Sequence, residues 1–158
     1  MSLIGYITRA YYEPTSVMQA QIDRGITDAQ TLFYAMLFGF MNLLASYPRV
    51  AALTPDPDTL AAKMGGLFIS YVFFLPLVLF GTAGLLNWAI LKFTKGHTSW
   101  SHARRVFVWS AVVTIPLILI NGLSFMIGNN VLQQLLNVIT AIVFVFQLSI
   151  NFKVAAFL

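Results

Sequence analysis

The chain is 158 residues long and strongly apolar: 59% of its residues are hydrophobic, 9% are charged, and its mean hydropathy is +0.82. Because a soluble domain carries about 25% charged residues, this composition excludes a soluble globular protein and predicts a polytopic membrane protein. The chain has no cysteine, which excludes disulfides, a thiol nucleophile and iron–sulfur ligation. In so apolar a chain, the net charge of +4 indicates the cytoplasmic side of a membrane rather than nucleic-acid binding.

The N-terminal segment is too polar to cross a bilayer. Four apolar side chains within it share one helical face: Leu3, Ile4, Ile7 and Tyr11. We therefore expect residues 1–30 to form a cytoplasmic interfacial segment whose first helix is amphipathic. This helix lies in the plane of the membrane surface or docks on a partner. Pro14 is suited to the first turn of a second short helix, and Gly25 to its C-terminal cap. The rest of the chain, residues 31–158, is predicted to form a transmembrane domain.

The first transmembrane span is predicted over residues 31–47. Thr27 and Gln30 have the spacing of a capping box, and Asp28 falls in the positively polarised first turn. The apolar run rises about 26 Å, slightly less than a hydrocarbon thickness of about 30 Å, so flanking helical residues are needed to complete the span. Pro48 is expected to end this helix.

The second span is predicted over residues 65–91, with residues 60–64 extending its helix outward. Pro76 lies in its middle and is expected to kink it, because proline removes a backbone hydrogen bond. Asp56 and Asp58 precede this helix. They are expected to cap it rather than to bind a metal ion, since the segment offers too few oxygen ligands.

The third and fourth spans are predicted over residues 106–127 and 131–152, with Pro116 near the centre of the third. Only the sequence Gly-Asn-Asn at 128–130 separates them, and these residue types tolerate the left-handed backbone of a tight turn. The two spans therefore form an antiparallel hairpin. The predicted fold is an all-α membrane protein, with four transmembrane helices preceded by a short N-terminal amphipathic interfacial helix.

Basic residues are distributed unevenly between the two sides of this topology. The side that carries both termini has seven of them, whereas the other side has only Arg49 and Lys63. The seven are Arg9, Arg24, Lys92, Lys95, Arg104, Arg105 and Lys153. Since cytoplasmic loops carry the excess of Lys and Arg, both termini are predicted to be cytoplasmic.

Polar or small residues follow one face of each span. The candidate positions of this seam are Gly39, Asn42, Asn121, Gln133, Asn137 and Gln147. One interpretation is helix packing, in which small residues allow close approach and amides form hydrogen bonds between helices. The other is a hydrated path for a solute or an ion. Packing is favoured, because no ionisable residue lies within any span and ion-coupled transport usually needs one.

The loop between the second and third spans combines basic and aromatic residues. A candidate site for anionic lipid headgroups, or for an acidic partner, comprises Lys92, Lys95, Trp100, Arg104 and Arg105. Topology-setting charge with aromatic anchors accounts for the same residues and is the favoured interpretation. His97 and His102 lack the i, i+4 spacing and the Cys or carboxylate neighbours of a metal site.

Several features follow one another in a recognisable order. The amphipathic segment leads into a helix that begins at Glu13, a capped span and a Pro-containing span follow, and the third span contains Trp109 and Pro116. The basic loop has the pattern G-x-T-x-W-x-x-A-R, formed by Gly96, Thr98, Trp100, Ala103 and Arg104. The chain thus resembles the bacterial Yip1-domain family of small integral membrane proteins, particularly its short alphaproteobacterial members.

The resemblance implies a location in the bacterial inner membrane and provides no catalytic residues to transfer. The family usually has about five spans, so four predicted spans are a departure. The eukaryotic relatives are linked to vesicle trafficking, and bacteria lack that machinery, so this role is not carried over.

The chemistry of the chain indicates a function without catalysis. It contains neither a G-x-S-x-G elbow nor a phosphate-binding loop, and we predict no catalytic residue, metal site or cofactor. We expect an accessory or structural subunit of a larger membrane protein complex, or a membrane organiser. The alternative is a small oligomeric channel or transporter with an uncharged polar path. The expected partners are other integral membrane proteins, with anionic lipids as further candidates and no nucleic acid.

Overall fold

The computed structural model of the protein describes residues 2–93, 99–128 and 130–156, and the side chains of all of these except residues 90–93. Within this part of the chain every regular element is helical. The helices are α1 (Leu3–Tyr12), α2 (Pro14–Asp23), α3 (Asp28–Leu53), α4 (Pro57–Phe68), α5 (Leu75–Phe93), α6 (Trp100–Val113), α7 (Ile115–Ser124) and α8 (Asn130–Ala156). A π-helical turn, Ile69–Phe74, joins α4 to α5, and a 3₁₀ turn, Phe125–Ile127, follows α7.

Four of the described helical segments are long and apolar enough to cross a membrane. They cover Asp28–Leu53, Pro57–Ala89, Trp100–Ile127 and Asn130–Ala156. The predicted number of spans is confirmed, and the chain is a multi-pass membrane protein by length and composition. Short connections make consecutive spans antiparallel. We call the end at which α3 begins and α8 ends the basic end, because Arg104, Arg105 and Lys153 lie there, and the opposite end the far end.

Two helix starts confirm predicted caps, and a third start has a cap of the same kind. The Thr27 hydroxyl accepts from the Gln30 N–H at 3.3 Å, and the Gln30 side chain accepts from the Thr27 N–H at 3.0 Å, which completes the capping box of α3. Asp56 caps α4, and the donation of both the hydroxyl and the N–H of Thr59 to its carboxylate holds the pKa of Asp56 below its usual range. Ser99 caps α6. These caps satisfy N–H groups that the first turn of a helix leaves unpaired.

Two glycines occupy the left-handed turns predicted for them. Gly25 has φ +62° directly after α2, and Gly128 has φ +70° between the third and fourth spans. Only glycine adopts such a backbone without a steric cost, so each residue ends one helix and redirects the chain.

The three central prolines are accommodated in different ways. The prediction that Pro48 ends the first span is wrong, since α3 continues through Pro48 to Leu53. A transmembrane helix tolerates proline because neighbouring groups compensate for the missing backbone bond. Pro116 lies at the second position of α7, directly after a break at Thr114, where the missing N–H is not required.

The disturbance at Pro76 takes the form of the π-helical turn before α5. In this turn each N–H reaches the carbonyl five residues earlier, as Leu75 does to Ser70. Pro76 cannot continue the pattern to the Tyr71 carbonyl, because proline has no N–H. Helix α3 approaches that carbonyl instead at Gly39, where a Cβ atom would collide with it.

Helix α6 is the central element of the bundle. Every residue from Arg105 to Val113 is buried, because α3, α5, α8 and α1 all pack around this helix. Helix α8 buries only four residues, all towards the basic end: Gln147, Asn151, Phe152 and Ala155. The bundle is therefore dense at the basic end and more open at the far end.

The predicted interfacial position of the N-terminal helix is not confirmed. Helices α1 and α2 pack on each other, α1 also contacts α6, and α2 contacts α8. Among the side chains expected to face the bilayer, Ile7 is 7% exposed whereas Ile4 is 74% exposed. The apolar face of α1 is thus divided, and its more buried part belongs to the bundle core.

Two hydrogen bonds tie this N-terminal hairpin to the spans. The Tyr11 hydroxyl donates to the Val113 carbonyl at 2.7 Å, and the Gln147 side-chain amide donates to the Ala10 carbonyl at 2.8 Å. Val113 is the last residue of α6, and Ala10 precedes Pro14 by four residues, so both carbonyls lie where regular helical bonding stops. The first bond joins α1 to α6, and the second joins α8 to α1.

Candidate functional site

A cleft of about 600 Å³ opens between α5 and α6 on the basic half of the bundle. Its walls are mostly apolar, and the described residues among them include a single charged side chain. The lining residues are Phe80, Gly81, Gly84, Leu85, Trp88, Trp100 and Arg104. The cleft therefore brings together Trp100 and Arg104, two of the five residues predicted for an anionic-lipid or partner site.

Glycine residues on α5 make the space. A Cβ atom on Gly84 would lie 3.0 Å from the Trp100 ring, so the indole packs almost directly on the α5 backbone. A Cβ atom on Gly81 would meet nothing within 4 Å, so this position opens into the cleft. Gly81 and Gly84 lie about one turn apart, and this spacing is the only sequence signal for the cleft that we find. The apolar run around the two glycines makes the signal hard to recognise.

Arg104 is held in a defined position at one end of the cleft. Its guanidinium lies 5.6 Å from the centre of the Phe80 ring and forms an ion pair of 2.8 Å with the Asp28 carboxylate. The Ser101 hydroxyl also donates to Asp28, at 3.0 Å. The Arg104 side chain remains 31% exposed, and a guanidinium carries five N–H donors, so it can bind a second anion.

Arg105 has a different environment from its neighbour. It is only 7% exposed, and its guanidinium donates to the Ile26 carbonyl in the connection between α2 and α3. Arg105 therefore ties that connection to α6 and does not line the cleft. Of the other predicted site residues, the Lys92 side chain and Lys95 lie outside the described part of the structure.

A second cavity, of about 190 Å³, lies at the far end between α3, α7 and α8. Four of the six seam residues line it: Asn42, Asn121, Gln133 and Asn137. The other two have separate roles, because Gly39 packs against the Tyr71 carbonyl and Gln147 binds Ala10. The seam is therefore not one continuous surface.

Hydrogen bonds between helices account for only part of this polar cluster. The Asn121 amide donates to the Asn137 side-chain oxygen at 2.6 Å, which joins α7 to α8. Asn42 and Ser46 donate instead to carbonyls of their own helix, those of Phe38 and Leu43, each at 2.8 Å. Gln133 and Tyr71 also line the cavity.

Groups of titratable side chains give no further site in the described residues. No set of three or more His, Asp or Glu side chains among them could hold a metal ion. His102 belongs to α6, and His97 lies outside the described residues. Comparisons of the chain with protein-family models, with curated proteins and with solved structures found no match.

Proposed function

We propose that the protein is a non-catalytic membrane protein that binds an anionic phospholipid in the cleft between α5 and α6. By holding this lipid it organises the bilayer around itself and acts as an accessory subunit for other integral membrane proteins. The observation that carries the proposal is a largely apolar cleft between two spans with one guanidinium at its end. Basic pockets between transmembrane helices are typical binding sites for anionic headgroups.

The residues around the cleft match the parts of a phospholipid. Trp88 and Trp100 have the amphipathic side chains that occupy the headgroup level of a bilayer. Arg104 offers charge-assisted hydrogen bonds to a phosphate. Beyond Arg104, the same face of α5 and of the turn before it exposes apolar side chains that can contact acyl chains: Phe74, Leu77 and Val78.

The orientation inferred from the basic residues places this cleft in the cytoplasmic leaflet. Seven basic residues on the side of the termini, against two on the other side, support cytoplasmic termini. The resemblance to the bacterial Yip1-domain family supports a location in an inner membrane.

The test fills the cleft without changing any charge. Gly81→Leu places a side chain where the structure has open space, and Gly66→Leu is a matched control in α4, where a Cβ atom also meets nothing within 4 Å. Native mass spectrometry would follow the purified protein in equimolar phosphatidylglycerol and phosphatidylethanolamine. We expect Gly81→Leu to lose the preference for phosphatidylglycerol and Gly66→Leu to keep it. Equal preference in the two variants would contradict the proposal.

The far-end cavity favours one alternative, a small oligomeric channel or transporter with an uncharged polar path. Such a path would have to extend from this cavity to the polar residues at the basic end. Gln147 and Asn151 are 1% and 0% exposed, and neither lines the cavity. The alternative therefore requires displacement of the N-terminal hairpin. Solute flux in liposomes that rises when Gln147→Leu removes the bond to Ala10 would favour it.

A further inference from the structure

The far-end cavity combines a charged side chain with several unused hydrogen-bond donors. Among the described residues that line it, Arg49 is the only ionic one and none is acidic. The side chains of Arg49, Tyr71 and Gln133 form no hydrogen bond with another described residue, and one Asn137 N–H₂ group remains available beside its bonded oxygen. The cavity therefore presents a cation and several neutral polar groups to whatever fills it.

Arg49 and Asn137 are exposed, and Tyr71 and Gln133 are partly exposed, so water reaches the cavity from the far end. Since each of these side chains has a hydrogen-bonding group without a partner among the described residues, a polar solute that pairs with them can replace that water. The volume of about 190 Å³ exceeds the 10–15 Å³ that one water needs, but lies below the range of pockets for drug-sized ligands. A solute in this cavity would have only a handful of non-hydrogen atoms.

We propose that the far-end cavity binds a small carboxylate with a short hydrocarbon chain, which enters from the compartment on that side of the membrane. The Arg49 guanidinium has the planar, bidentate geometry that matches a carboxylate. The amides of Gln133 and Asn137 add neutral donors. Ile118 and Phe125 supply an apolar surface within the same cavity, where the hydrocarbon chain can be buried.

Two close backbone contacts preform the site. A Cβ atom on Gly122 would collide with the backbone of Ala45, and one on Gly39 would collide with the Tyr71 carbonyl. Helix α3 is therefore in direct backbone contact with α7 and with the π-helical turn beside the cavity. Such contacts fix the spacing of the backbones that carry several of the polar side chains, which lowers the ordering cost of binding.

The experiment uses the full chain in phosphatidylcholine nanodiscs, which contain no anionic lipid. Thermal unfolding would be followed with sodium acetate, propionate and butyrate, each compared with sodium chloride at the same ionic strength. We expect stabilisation by the carboxylates to increase with chain length, because the apolar part of the cavity is then filled. A shift equal to that of chloride would overturn the proposal.

Charge variants separate the site from general surface electrostatics. Arg49→Gln should weaken the apparent butyrate affinity by about ten-fold or more, because it removes a charge-assisted hydrogen bond. Lys63→Gln is the matched control, since Lys63 is also a far-end cation but binds the Thr54 hydroxyl at 2.9 Å and does not line the cavity. Equal losses in the two variants would overturn the proposal.

Two further measurements test the contact with the carboxylate and the source of the anion. Arg49→Lys keeps the charge without the bidentate geometry, so it should retain part of the butyrate affinity. Complete loss of butyrate affinity in a variant with the helicity of the parent would contradict the carboxylate contact. Nanodiscs with phosphatidylglycerol should leave butyrate binding unchanged. Displacement of butyrate by that lipid would assign the cavity to a headgroup phosphate and would overturn the proposal of a soluble carboxylate ligand.

Discussion

Asp28 and Arg104 form an ion pair, and replacing one or the other should have opposite effects on lipid binding. Arg104→Gln removes the positive charge of the cleft, whereas Asp28→Asn leaves that charge and removes the carboxylate that competes with a phosphate for it. The two oppositely charged groups are 2.8 Å apart, and their side chains are 31% and 51% exposed. Both variants lose the same ion pair, so a purely structural role predicts similar effects.

The magnitudes follow from the exposure of the pair. A solvent-screened ion pair contributes about 0–1 kcal/mol, and an acidic residue in the first turn of a helix about 0.3–1 kcal/mol, so both variants should remain folded. One basic residue near an anionic headgroup contributes about 1 kcal/mol, which corresponds to roughly five-fold in affinity. We expect Arg104→Gln to lower phosphatidylglycerol affinity by about this factor and Asp28→Asn to raise it by up to the same factor.

The assay is native mass spectrometry of the detergent-purified variants with phosphatidylglycerol, at low and at physiological ionic strength. Salt should reduce both changes, because partly exposed charges are screened over about 8 Å at physiological ionic strength. Thermal unfolding of the lipid-free variants would report their stability separately. A change of lipid affinity in the same direction in both variants would refute the assignment of Arg104 as the anion-binding group.

Three other predictions concern the fold and its orientation. Tyr11→Phe removes one hydrogen bond worth about 1 kcal/mol, so it should loosen the N-terminal hairpin and increase its amide hydrogen exchange. Tyr12→Phe, at a side chain that is 88% exposed, should change nothing. Asn137→Leu should lower thermal stability in detergent by about 1 kcal/mol more than Val145→Leu, which lies on an exposed face; equal stabilities would mean that the interhelical amide bond contributes nothing. A reporter that is active only in the cytoplasm should give signal when fused to the C-terminus, and a periplasmic signal would contradict the inferred orientation.

Local patterns in the sequence were sufficient for the spans and their starts. Apolar runs predicted four membrane-spanning helices, and short side-chain motifs at Thr27 and Asp56 predicted where helices begin. These features depend on residues within one or two turns of each other. Gly25 and Gly128 were predictable for the same reason, since a left-handed backbone is a property of the residue itself.

The candidate site was only partly predictable. The loop composition indicated a basic and aromatic cluster, but neighbouring arginines with the same chemistry have different roles, because Arg104 faces the cleft and Asp28 while Arg105 is buried against Ile26. Helical geometry turns consecutive side chains by about 100°, so the arrangement of the neighbouring helices decides which residue is accessible. The seam was recognised as a set of residues, but its division into a far-end cavity and a separate contact at Gln147 was not.

Tertiary contacts alone decided the position of the N-terminal hairpin and the course of the first span. The amphipathic pattern of α1 fits a membrane surface and a protein core equally well, because both bury one apolar face. What distinguishes them is a pair of hydrogen bonds between α1 and other helices: Tyr11 donates to a carbonyl 102 residues away, and Gln147 donates to Ala10 across 137 residues. Pro48 likewise predicts a helix end, because proline lacks the backbone N–H. Helix α3 nevertheless continues, since it packs along neighbouring spans where a non-helical backbone would lack hydrogen-bond partners.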